Sequence, residues 1–156
     1  MTPILRRLAA TAALAGALAL SAAVPPVAQA SERTAYPSTA MEGLPYSGAV
    51  ATGDMVFVGG VLGTVRNRKE LVPGGITPET RQALAYVREM LEQAGSSFAD
   101  VVRVHYIYPN RDDFEPCWPV FQKYLGESRP AATVFVAGLL DDAMKLEIEV
   151  TARVRG

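Results

Sequence analysis

Polarity alternates most cleanly near the end of the chain. From Met144 to Val154, Leu146, Ile148, Val150, Ala152 and Val154 fall on one side of an extended backbone. Lys145, Glu147, Glu149, Thr151 and Arg153 fall on the other, which predicts a half-buried strand. A second strand is predicted over Val101–Tyr108, with Val102, Val104, Tyr106 and Tyr108 on one face and Arg103 and His105 on the other. Ala49–Thr52 and Met55–Val58 flank Gly53-Asp54 and predict a hairpin. Gly59-Gly60 then marks a bulge, a close backbone approach or a plain strand-ending turn. Ala132–Ala137 predicts one more short strand.

Helical spacing appears twice. Leu84, Val87, Leu91 and Ala94 recur on one face, behind Thr77 as a cap and Pro78 at the first helical position, and Gly95 closes the run. Ser97–Asp100 reads as a one-turn capping segment. A second helix is predicted over Phe114–Leu125, capped by Asp112-Asp113 and ended by Gly126. Pro119 has no N–H to give the Glu115 carbonyl, so this helix must kink or start near Pro116. The order β-β-α-β-α-β-β, opening on a hairpin, predicts an α+β fold: one sheet with two helices on one face.

The first thirty residues stand apart. Arg6-Arg7 precede an uncharged Ala/Leu run from Leu8 to Val24, Pro25-Pro26 break it, and Ala28-Gln29-Ala30 fits a small-x-small cleavage site. This predicts a signal peptide over residues 1–30, hence a periplasmic or secreted protein with no stable membrane anchor after cleavage. The run is short and Ala-rich for a membrane span. Residues 31–44 carry no pattern and are expected to form a flexible lead-in, which leaves 45–156 as the single domain.

Cleavage would remove two arginines, leaving 13 basic against 16 acidic residues, net −3. There is no basic run, so no nucleic-acid partner is expected. Cys117 is the only cysteine, so no disulfide can form within the chain, and it reads as a small buried apolar residue. His105 is the only histidine, which leaves a Ser-His-Asp triad or a multi-histidine metal site poorly supported. It reads as a hydrogen-bonded sheet residue.

Several ordered pieces between Pro45 and Val154 resemble one family. They are Pro45-Tyr46, the Gly53–Val58 hairpin with Gly60, Thr80–Leu84, Ala94–Ser97, Asp100–Val102, Asp113-Phe114 and Leu146–Glu149. Together they resemble the Rid (YjgF, L-PSP) family, whose best-known members hydrolyse reactive enamines and imines. The resemblance implies a chorismate-mutase-like fold and a homotrimer with small-molecule clefts between subunits, without metal or organic cofactor. It also implies site residues. Glu147 falls where the family has the glutamate that positions or activates water, and is the one catalytic candidate. Tyr46 matches a cleft tyrosine, and Gly60 a glycine whose backbone approaches the ligand. Trp118 stands where many members carry asparagine.

The family's carboxylate-binding arginine lies in a Pro-Ala-Arg-Ser/Thr motif. Here the residues are Pro130-Ala131-Ala132-Thr133, so Ala132 takes its place and Thr133 keeps the motif's last position. A methyl group cannot form the charge-assisted fork of a guanidinium. Arg129, three residues upstream, could reach the same point only if the loop folded back. Two functions follow. One is cofactor-free hydrolytic deamination of an enamine or imine, with a neutral or bulkier substrate in place of a simple carboxylate. The other is a non-catalytic trimer that binds a small molecule. The endoribonuclease label attached to parts of the family fits poorly with net −3 and a single histidine.

Overall fold

The computed structural model describes residues 32–38, 43–66 and 70–155. The expected signal peptide lies outside these residues. Six strands and two α-helices follow one another: β1 (Arg33–Tyr36), β2 (Ala49–Thr52), β3 (Met55–Val61), α1 (Ile76–Gln93), β4 (Val101–Tyr108), α2 (Trp118–Leu125), β5 (Ala131–Val136) and β6 (Glu147–Arg153). The strands form one sheet in the order β1-β2-β3-β6-β4-β5. All neighbours run antiparallel except β4 and β5, which are parallel because α2 carries the chain back across the sheet. The expected α+β architecture, two helices on one sheet, is the one observed.

The core lies between the helices and one sheet face. α1 turns Thr80, Ala83, Leu84, Val87 and Leu91 inward, onto Val56, Val104, Tyr108, Ile148 and Val150. Burying such side chains contributes roughly 1.5–3 kcal/mol each, so the helix-side face is where the fold gets its stability.

Local differences from the sequence reading have physical causes. Residues Arg33–Tyr36, within the segment read as a flexible lead-in, add an edge strand to β2. They are mostly exposed, so no alternation announced them. Val102 does not join Val104 on the buried face. A register shift between Val101 and Arg103 puts Val101 inward and leaves Val102 exposed. Helix α1 begins at Ile76 behind Gly75, with no side-chain cap from Thr77. The Pro119 conflict is solved by two 3₁₀ turns over Arg111–Asp113 and Glu115–Cys117. These delay the α-helix until Trp118, where the missing N–H falls in the first turn and needs no partner.

Candidate active site

The sheet face away from the helices carries the polar side chains. Register places them in rows. Thr133, His105 and Glu149 are cross-strand neighbours, as are Phe135, Ile107 and Glu147. Next to these rows β3 offers only Gly59 and Gly60, at a register shift between Val58 and Val61.

Glu147 occupies the space that Gly60 leaves. A methyl group at Gly60 would overlap the Glu147 carboxylate. Of the three readings of the paired glycines, the bulge and the close approach apply, and the strand-ending turn does not, because β3 continues to Val61. Burial pushes the Glu147 carboxyl above its ordinary value, and the like charge of Glu149 two residues along adds to the push. A carboxyl so placed can hold or release a proton closer to neutrality than a solvated one.

Beside it lies a groove of about 520 Å³, lined by Tyr46, Phe57, Arg103, His105, Glu149 and Thr151 among others. Tyr46 is held there by its own loop, because the Gly59 N–H donates to the Gly48 carbonyl at 3.0 Å and ties residues 46–48 to β3. His105 Nδ1 and Glu149 Oε2 are 3.0 Å apart, and the Phe135 ring meets the imidazole edge-on. The opposite nitrogen, Nε2, is buried without a hydrogen-bond partner. This pairing answers the expectation of a hydrogen-bonded His105, but its partner is 44 residues away and depends on strand register.

Known proteins share this arrangement of strands. The family model described as Endoribonuclease L-PSP matches residues 38–154. The chain belongs to the Rid (YjgF, L-PSP) family. A RutC family protein of Pyrococcus horikoshii is 34% identical over 108 residues, 69% of this chain and 86% of that one. The 2-iminobutanoate/2-iminopropanoate deaminase of Bos taurus is 33% identical over 108 residues, 69% of this chain and 79% of that one. Among solved structures, a Mycobacterium tuberculosis member of the YjgF/YER057c/UK114 family superposes with a TM-score of 0.66 at 29% identity. It covers 79% of this chain and 100% of its own.

Within one Rid chain the expected site residues fall into two groups. Gly60 and Glu147 touch, and Tyr46 and Thr133 share their sheet face. Ala132 pairs with Val104 and so faces the helix side, where β5 is uncovered. Trp118 sits in the helix layer, half exposed, with its ring 6.1 Å from that of Phe114. One chain therefore does not bring Ala132 and Trp118 to Glu147.

Arg129 holds φ 45°, a left-handed conformation uncommon outside glycine, and its N–H donates to the Leu125 carbonyl at 3.0 Å. Its backbone is committed to ending α2. Cys117 is fully buried, with Sγ 3.0 Å from Thr80 Oγ1 and 3.2 Å from the Asp113 carbonyl. Burial pushes its thiol up, which is the opposite of what a nucleophile needs.

Proposed function

We propose that this protein is an exported, cofactor-free deaminase that hydrolyses an imine or enamine at clefts between the subunits of a homotrimer. The observation that carries the reading is Glu147: a half-buried carboxyl with a raised proton affinity, packed against a bare glycine on an uncovered sheet face, in a chain whose relatives include proteins named as imine deaminases. Imine hydrolysis needs one group to take a proton from water and return one to the departing nitrogen. A single carboxyl of this kind serves both steps.

The trimer is supported by β5. All six of its residues are exposed. Phe135 and Val136 are 45% and 58% exposed, and Leu140 just beyond is entirely so. An apolar, unpaired edge strand of this length calls for cover. A neighbouring copy that lays its β5 region against the uncovered face would bring Ala132 and Trp118 to the Glu147, Gly60 and Tyr46 of the first chain. The two halves of the site would then form one cleft.

With Ala132 in place of the arginine, the substrate is a neutral or bulkier imine. Export is supported by the composition of residues 1–30. The test uses purified Ser31–Gly156, with 2-iminopropanoate and a neutral imine generated in situ and ammonia release followed. Acceleration that disappears in Glu147→Gln is expected, with the neutral imine preferred. A folded trimer that accelerates neither would overturn the deaminase reading and favour the non-catalytic binder.

A further inference from the structure

We propose that His105 and Glu149 form a positioning pair for Glu147, which couples the charge on the imidazole to the charge on that carboxyl. The proposal deepens the deaminase reading but rests on geometry that stands without it. Glu147 and Glu149 are separated by one residue on β6, so their side chains share a face with Cα atoms roughly 6.6 Å apart. His105 lies directly across from Glu149 on β4 and diagonal to Glu147. Its Nδ1 holds Oε2 of Glu149 at 3.0 Å, which fixes where that negative charge sits.

Within one chain, few other charges face Glu147. From β4, Ile107 faces Glu147 with no charge. From β3, Gly60 contributes no side chain. From β5, the same face presents Thr133 and Phe135, and Phe135 closes the imidazole's other side. On its own strand the charged neighbours are Glu149 and, just before the strand, Lys145. Arg103 stands one step further along β4, opposite Thr151, and with Arg33 of β1 it lines the groove that holds His105 and Glu149, so both cations are a constant background in every variant compared. When the imidazole carries a proton, it offsets the Glu149 charge and Glu147 ionises more readily. When the imidazole is neutral, that offset is missing and Glu149 acts more strongly on Glu147 as a like charge.

The imidazole is also insulated. Its side chain is only 17% exposed and Nε2 is enclosed. A group so enclosed serves poorly as a proton shuttle to a ligand and acts on its surroundings through the partner it holds, Glu149. This assigns His105 a role through Glu149, and separates it from the residues that would touch substrate.

The experiment is a carbon-13 NMR titration of the Glu147 side-chain carboxyl in the full domain, assigned by its loss in Glu147→Gln. In Glu149→Gln the like charge is gone, and the midpoint is expected to move to lower pH by about half a pH unit or more. His105→Asn keeps an amide for Glu149 but cannot carry a positive charge. With nothing left to offset Glu149, the Glu147 midpoint is expected to move upward. His105→Gln serves as the second variant if asparagine costs the fold.

A residue that only packs the sheet would not give opposite shifts from the two partners. Shifts of equal sign, or no shift in either variant with native circular dichroism, overturn the proposal. Opposite shifts support it even in a protein that hydrolyses no imine, so its failure and that of the deaminase reading are told apart.

Discussion

Gly60→Ala isolates the contact at the centre of the site. The new methyl group would fall inside the volume of the Glu147 carboxylate, with Cδ 2.6 Å from the added carbon. Something must give, and the easiest element to move is the far end of a flexible side chain. Glu147 is only partly buried, so a change of rotamer clears the clash at a cost of about 1 kcal/mol, a few degrees in melting temperature. The chemical cost is larger. Displacing a catalytic group by about 1 Å loses on the order of 100-fold in rate.

On the proposed deaminase reading, the expected result is therefore a domain that melts nearly where the parent does and releases ammonia from an imine roughly a hundred times more slowly. Thermal unfolding followed by circular dichroism gives the first quantity and a coupled ammonia assay the second. Activity within twofold of the parent would refute the idea that Glu147 must rest against Gly60. A stability loss above about 3 kcal/mol would show that the strand had yielded instead of the carboxylate.

Three further outcomes test the surrounding fold. Gly63→Ala should be far more harmful than Gly60→Ala, because its methyl group would meet the Glu79 backbone, 2.7 Å from the carbonyl carbon, and a helix cannot swing aside. A loss of about 2–3 kcal/mol in urea denaturation is expected. Val136→Asp, at an exposed position on β5, should leave the subunit folded and shift sedimentation from trimer to monomer. Glu79 is 3% exposed and burial raises its proton affinity, so the folded state pays for its charge as pH rises above its ordinary value of 4.5. Glu79→Gln should raise the melting temperature at pH 7 and lose that advantage toward pH 4.

The legible part of the fold was the part set by local rules. Val101–Tyr108 emerged with the bounds that alternation gave it, and Leu84, Val87 and Leu91 marked the buried side of α1. The phase slip at Val101–Arg103 was hidden, because a bulge depends on what the partner strand does. Arg33–Tyr36 stayed hidden for a related reason: an exposed edge strand is held by backbone pairing and leaves little trace in side-chain polarity. At the site, Glu147 and Gly60 were found through resemblance, and the structure supplied their contact. His105 and Glu149 were each visible, but their pairing required the β4–β6 register.

Strand β6 comes last among the described strands, yet it lies in the middle of the sheet, hydrogen-bonded to β3 on one side and β4 on the other. Until it arrives, β1–β3 and β4–β5 are two separate ribbons with no shared backbone bonds, and the apolar face of α1 lacks Ile148 and Val150 to rest on. While those residues are still inside a ribosome's exit tunnel, the part already outside cannot close the sheet. Closure of the sheet therefore waits for β6, which makes the joining of the two ribbons a late step in folding. A chain cut between Val136 and Glu147 would keep both ribbons and lack the strand that joins them.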